Sequence, residues 1–169
     1  MTLTLRPAET AADYQAFAGL CRAYIDWCRE RYASVPWFVE EVFGHQSFDD
    51  EQRDLAIKYG PPRGRTLLAE IDGEVVAGGA WQKLEDGVCE LKRIFVGEAA
   101  RGHGTGRKLT QALMDDARAH GFRKVRLDSA RLLHEAIAMY RGLGFEDRSP
   151  YLDYPDRFLA HLVFMERPL

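Results

Sequence analysis

The stretch Arg101-Gly102-His103-Gly104-Thr105-Gly106-Arg107 sets three glycines within five residues, between two basic side chains. Glycines this close let backbone N–H groups converge on an anion, because no Cβ blocks its approach. A strand pattern, Val88 to Val96, leads into the loop. A helix pattern follows from about Gly104 to His120, with Leu109, Ala112, Leu113 and Ala117 at the 3.6-residue period and Gly121 as its stop. A helix opening on the loop adds unpaired N–H donors and the positive end of its dipole. The loop therefore reads as a pyrophosphate cradle, with Arg101, Arg107 and Lys108 adding charge at its rim.

Two common phosphate-binding patterns are excluded. A Walker A loop needs Lys and then Ser or Thr after its last glycine, whereas Gly106 is followed by Arg107, Lys108 and Leu109. A dinucleotide fingerprint Gly-x-Gly-x-x-Gly would need glycine at Arg107 or at Leu109. The plain alternative is a glycine turn without a ligand.

The elements around the loop can be traced from turn signals and periodicity. Thr2 to Arg6 alternates and reads as a strand, and Thr10 with Asp13 forms a capping-box-like helix start. Phe17, Cys21, Tyr24, Ile25 and Cys28 recur at helical spacing, so this helix runs to about Arg31. The stretch from Tyr32 to Phe48 is irregular, with Pro36, Gly44 and several aromatics. Ser47 and Asp50 suggest a second helix, ending before Gly60-Pro61-Pro62. Three strands then follow, Thr66 to Ile71, Val75 to Gln82 and Val88 to Val96, joined by Asp72-Gly73 and Asp86-Gly87 turns. Beyond the loop helix come a strand over Lys124 to Asp128, a short helix with Ala136, Ile137, Tyr140 and Leu143, and a last strand from Phe158 to Met165. This order, with one core, predicts a mixed α/β (α+β) domain over residues 1–169.

Arg101-x-x-Gly104-x-Gly106 resembles the Arg/Gln-x-x-Gly-x-Gly/Ala motif of the GNAT superfamily of N-acetyltransferases. The likeness extends back through Glu90-Leu91-Lys92-Arg93-Ile94-Phe95-Val96 and forward to Ala136-Ile137-Ala138-Met139-Tyr140-Arg141-Gly142-Leu143-Gly144-Phe145. It covers about residues 65–147, a cofactor-binding core, while the first sixty residues match only in element order. The resemblance implies a mostly antiparallel, twisted sheet of about six to seven strands flanked by about four helices. It implies acetyl-CoA as co-substrate, its pantetheine arm wedged between splayed strands ending near Val96 and Asp128. Main-chain groups of Ile94, Phe95 and Val96 would meet that arm, and the loop Arg101, Gly102, His103, Gly104, Thr105, Gly106 and Arg107 would hold the pyrophosphate. The family often carries Asn where this chain has Leu133, so that cofactor contact is missing or supplied elsewhere.

Amine acetylation by direct attack needs a neutral amine, a polarised thioester carbonyl and a proton for the departing thiolate. By the resemblance, Glu90 stands where some relatives hold the general base. Its structural alternative is a cross-strand partner for Lys92 or Arg93. Tyr140 matches the tyrosine that many relatives use as general acid, with core packing as its alternative. A backbone N–H near Ile94 would polarise the carbonyl. His103 should face solvent, and His45, His120, His134 and His161 show no ligand or triad spacing. Trp27, Trp37, Phe38, Phe43 and Phe48 are core candidates, some of which could line an acceptor pocket, as could the segment Tyr151 to Asp156.

Composition bounds the remaining classes. Among 169 residues, 46% are hydrophobic, enough for one core, and 23 Lys+Arg against 26 Asp+Glu give a net charge of −3, without a nucleic-acid footprint. Cys21, Cys28 and Cys89 form neither a disulfide framework nor a metal-ligand spacing, so no metal is expected. No secretory signal or membrane-length apolar run is visible, which suggests a reducing, cytoplasmic setting. The partner expected is an amine of a small molecule or peptide, with neither nucleic acid nor membrane, and a homodimer is left open. The competing function is a non-catalytic acyl-CoA-binding sensor or regulatory module.

Overall fold

Residues 2–45 and 47–169 are described in a computed structural model. Seven strands form one sheet: β1 Leu3–Pro7, β2 Gly64–Ile71, β3 Glu74–Glu85, β4 Val88–Val96, β5 Lys124–Ala130, β6 Glu146–Arg148 and β7 Leu162–Pro168. Their order is β1-β2-β3-β4-β5-β7-β6, and every neighbouring pair is antiparallel except β4 with β5. The fold is thus mixed α/β with a mostly antiparallel sheet.

The tight turns arise where the sequence signals them. Asp72 and Gly73 both take positive φ, 52° and 88°, the geometry of the Asp-Gly hairpin turn that matches strand twist. The single parallel pair needs a crossover, which α5 Thr105–Ala119 supplies. That pairing is short: only Val88, Cys89 and Glu90 of β4 face Lys124, Val125 and Arg126 of β5. Beyond them the two strands separate, and this divergence opens the sheet where the glycine loop begins.

Two cores lie on opposite sides of the sheet. Consecutive strand residues point to opposite faces, and Leu68 packs in the core with Phe17, Cys21 and Ile25 of α1 Ala11–Arg31, whereas Leu67 packs with Leu109 and Leu113 of α5. Helix α1 starts on a complete capping box: the Thr10 hydroxyl accepts from the Asp13 N–H at 3.1 Å, and the Asp13 carboxylate accepts from the Thr10 N–H at 2.9 Å.

The described residues hold seven α-helices where about four were expected. The stretch that looked irregular contains α2 Pro36–His45, whose Phe38, Val39 and Val42 are buried while Trp37 and Phe43 pack partly against the same core. Apolar residues on most of its circumference erase the one-sided pattern that announces a surface helix. The helix expected from Ser47 divides at Asp54 into α3 Phe48–Arg53 and α4 Leu55–Tyr59. Ser47 makes no side-chain cap, whereas the Asp54 carboxylate accepts from the Ile57 N–H at 3.1 Å. Phe158 belongs to α7 Asp156–Leu159 and not to the last strand, which begins at Leu162. The edge strand β6 is Glu-Asp-Arg and carries no apolar alternation to announce it in the sequence. No helix of the described residues is long and apolar enough to cross a membrane.

Candidate active site

Strand β4 carries a bulge just before the loop. Its register against β3 shifts between Gly78, opposite Phe95, and Ala80, opposite Lys92, and Arg93 within the bulge takes φ 57°. A left-handed backbone is uncommon for a side chain other than glycine and must be held by its surroundings. Here the Arg93 guanidinium is buried against Glu51 of α3, with Nε donating at 2.8 Å and Nη2 at 3.1 Å, between the rings of Phe43 and Phe48. The bulge bends β4 at the point where it parts from β5.

Past Val96 a short 3-10 turn, Glu98–Ala100, leads to the glycine loop and α5. Gly104 is the N-cap of α5, with φ 73°, and no side chain caps the first turn, so its N–H donors are left to an incoming group. A Cβ on Gly106 would lie 3.3 Å from Val96 Cγ2 and 3.4 Å from Met139 Sδ, so the loop backbone runs close to the cleft wall there. Arg101 donates from Nε to the Val96 carbonyl at 3.1 Å and lays its guanidinium over Trp27 and Phe95. Arg107 donates to the Gly142 carbonyl at 3.1 Å, tying α5 to α6 His134–Gly142.

These residues enclose a cleft of about 450 Å³ lined by Ile94, Phe95, Val96, Arg101, Gly102, Gly104, Thr105, Gly106, Arg107 and Tyr140. His103 does not line it and is exposed. Trp27 and Arg31 of α1 and Glu135, Ala136 and Met139 of α6 complete the wall, with Arg31 and Glu135 paired across it at 2.9 Å. Of these, Trp27 is a core candidate by sequence, with an acceptor wall as its alternative; the spacing of Ala136, Met139 and Tyr140 along one helix face is the available signal for the rest. Leu133, where the family often has Asn, is buried as the residue before α6 and offers no polar contact. A cleft with uncapped helix donors, a basic rim and an apolar wall fits a pyrophosphate joined to a narrow arm, as in coenzyme A.

Tyr140 stands at the inner end of this cleft and also lines a smaller compartment between the diverging strands. Burial pushes its hydroxyl well above the ordinary phenol range, and the nearby Asp128 charge pushes it further, so it keeps its proton at neutral pH.

Glu90 lies elsewhere. It is 2% exposed and lines none of the compartments beside Tyr140. Its carboxylate accepts from Gln82 Nε2 at 3.0 Å and from the Tyr151 hydroxyl at 2.9 Å, with Lys92 Nζ at 3.7 Å. Of the two ionic partners foreseen, Lys92 is present but from the same strand, Arg93 is committed to Glu51, and the residue across from Glu90 on β3 is Gln82. Lys92 also meets Asp128 of β5 at 3.3 Å. Burial alone would lower the Lys92 ammonium, but Asp128 and Glu90 outweigh it and hold the ammonium charged. Tyr154 donates to Asp128 at 3.4 Å, so the segment Tyr151 to Asp156 covers both carboxylates with its hydroxyls.

The GNAT acetyltransferase family model matches residues 26–145. An uncharacterized N-acetyltransferase of Escherichia coli K12 is 36% identical over 127 residues, covering 73% of this chain and 74% of that protein. An IAA acetyltransferase of Azospirillum brasilense is 40% identical over 109 residues, covering 64% and 70%. The crystal structure of the PaiA N-acetyltransferase of Thermoplasma acidophilum, in complex with coenzyme A, superposes with a TM-score of 0.74 over 100% of both chains at 16% identity, which shows a shared fold. The chain belongs to the GNAT family of acetyltransferases and is an acyltransferase enzyme.

Proposed function

We propose that this enzyme moves the acetyl group of acetyl-CoA to an amine of a small molecule or peptide by direct attack. The observation that carries the reading is the continuity of the cleft, from the uncapped N-terminus of α5 past Ile94, Phe95 and Val96 to Tyr140. Acetyl-CoA supplies an activated thioester. The first turn of α5 and the loop from Arg101 to Arg107 hold its anionic end. The bulged backbone near Ile94 faces the reacting carbonyl, where an N–H stabilises developing negative charge. Tyr140, kept protonated by burial, gives its proton to the departing sulfur.

Glu90 works from behind. Its carboxylate is closed off by Gln82 and Tyr151, so we assign it to fixing Lys92 and not to contact with the amine. The reading needs no metal, nucleic acid or membrane. It suits a reducing cytoplasm, where Cys21, Cys28 and Cys89 stay free as they are here.

The test is twofold. Coenzyme A at saturation should raise the melting temperature, because a ligand that binds only the native state stabilises it. A screen of amines with acetyl-CoA should release free thiol with some of them. A chain that binds coenzyme A and releases no thiol with any amine would instead be an acyl-CoA sensor. A chain stabilised by ATP or NAD and not by coenzyme A would overturn the assignment of the cleft.

A further inference from the structure

Two small, partly open compartments, each of about 60 Å³, continue inward from the cofactor cleft. The first lies between the diverging strands and shares Trp27, Ile94, Ala136 and Tyr140 with the cleft. The second lies beneath α1 and α2 and shares Tyr24, Leu91, Lys92, Arg93, Asp128 and Ser129 with the first. Tyr140 stands where cleft and first compartment meet, and Asp128 stands where the first meets the second. The outer walls of the second are apolar or aromatic, among them Tyr32, Phe38, Val39 and Val42. Cys28 also lines it, but burial pushes its thiol up to about 12, so it serves as a neutral wall and not as a nucleophile.

Asp128 and Lys92 form the floor of both compartments, and Glu90 stands behind it. The two carboxylates share the Lys92 ammonium, and Glu90, Asp128 and Lys92 are 2%, 7% and 10% exposed. The neighbouring guanidinium of Arg93 is engaged by Glu51, which also binds Lys58. The other groups facing Asp128 are the hydroxyls of Tyr140, Tyr151 and Tyr154. Asp128 is the one carboxylate that lines both compartments, and at 7% exposed it stands in a low-dielectric site where a cation is attracted.

The geometry points to Asp128 as the residue that binds the acceptor's ammonium and takes its proton, with the second compartment receiving a short apolar tail of a small primary amine. This deepens the proposed acetyl transfer and rests on it. The ammonium gives one proton to the Asp128 carboxylate and becomes a free amine. The amine nitrogen bonds to the acetyl carbon as the carbon–sulfur bond breaks, and the sulfur takes the Tyr140 proton. A second N–H proton of the same nitrogen restores Tyr140, and Asp128 releases its proton to solvent. A base on one side of the junction and an acid on the other serve the two ends of the reaction separately. At roughly 10–15 Å³ for each water-sized group, the compartment holds a tail of about four to six heavy atoms.

The experiment titrates n-alkylamines, methyl to octyl, into the coenzyme A-loaded protein and measures their acetylation across pH. Affinity should rise with chain length to a maximum between about butyl and hexyl and then fall sharply. Asp128→Asn should keep the melting-temperature rise with coenzyme A, weaken amine binding at least about tenfold and lower turnover by about a hundredfold or more near neutral pH. Its turnover should climb toward wild type as pH approaches about 10, where the amine sheds its own proton. Val42→Phe, which fills the compartment, should abolish binding of the longer amines and spare coenzyme A, and it decides the matter if Asp128→Asn does not fold. Wild-type amine affinity retained in Asp128→Asn, parallel pH profiles, or indifference to chain length would overturn the inference. So would a wild-type protein that binds coenzyme A and no alkylamine, which leaves the cofactor assignment standing; absence of any coenzyme A effect would remove both.

Discussion

Tyr140 and Glu90 occupy different environments, and that difference decides what substitution should do. Tyr140 lines the cleft and its hydroxyl is held protonated by burial, while its ring packs on Phe145 at 5.7 Å. Tyr140→Phe keeps the ring and removes the proton donor. Turnover should fall by about 10²–10⁴-fold while coenzyme A affinity stays nearly intact, because in the proposed reaction the hydroxyl acts only as the thiolate leaves. Unchanged turnover with a good acceptor would return Tyr140 to a packing role. Glu90→Gln keeps the size but weakens the hold on Lys92, since a neutral amide replaces a carboxylate 3.7 Å from the ammonium. We expect a lower melting temperature and a loss of activity that is constant with pH. Convergence of the variant and wild-type profiles at high pH would instead mark Glu90 as the base. The sequence motif locates Glu90 on the right strand; only the side-chain packing of Gln82 and Tyr151 reveals that its carboxylate is sealed.

The elements that carry the site were the most legible in the sequence. Strand β4 ends at Val96 as its pattern suggests, and α5 opens at Thr105, because alternation, glycine and a strong 3.6-residue stripe coincide there. The bulge at Arg93 was not legible. Nothing local to an arginine on a strand asks for φ 57°; the distant carboxylate of Glu51 and the rings of Phe43 and Phe48 hold it there. Helix α2 was hidden for a related reason, since burial on several sides removes periodicity. The second compartment, walled by α2 and floored by Asp128, was therefore also out of reach. At the junction of loop and α5, Gly104 has φ 73° and open space where a Cβ would sit. Gly104→Val therefore meets a backbone penalty and not a clash, and the loop should relax away from the geometry that gathers its N–H groups. Coenzyme A should then give little or no melting-temperature rise while the apo protein keeps its circular dichroism. Normal cofactor binding by a folded Gly104→Val protein would place the anion site elsewhere.

Three buried or half-buried ionic joints tie separate parts of the chain together, and all three respond to acid in the same direction. Asp13 joins α1 to β1 through Arg6, which also reaches Glu70 on β2. Glu51 joins α3 to the β4 bulge through Arg93 and to α4 through Lys58. Glu166 on β7 gathers Lys124 and Arg126 of β5 and Arg148 of β6. The Arg6 hydrogen bond, with N–H groups of Glu9 and Thr10, holds Asp13 far below its usual range. Burial would raise Glu51, but the Arg93 hydrogen bond and charge outweigh it and bring the carboxyl down to about 2. Burial would likewise raise Glu166, and its hydrogen bonds to Arg126, Lys124 and Arg148 bring it to about 2. A carboxyl whose folded pKa lies below its unfolded value stabilises the fold above the unfolded value and loses that contribution as protons return. The melting temperature should therefore hold near neutral pH and fall progressively between about pH 5 and pH 2. Glu51→Gln isolates the joint that shapes the site. Taking the carboxylate from the buried Arg93 should cost about 3–5 kcal/mol at neutral pH, a drop on the order of 10 °C for a chain of this size. Because the variant has already lost that titration, its melting temperature should fall less steeply with acid than wild type does. Thermal denaturation of both proteins from pH 7 to pH 2 measures this, and equal slopes would remove Glu51 from the acid response. Acetyl transfer should be impaired alongside stability, since Arg93 sets the bulge that presents the backbone near Ile94 in the proposed reaction.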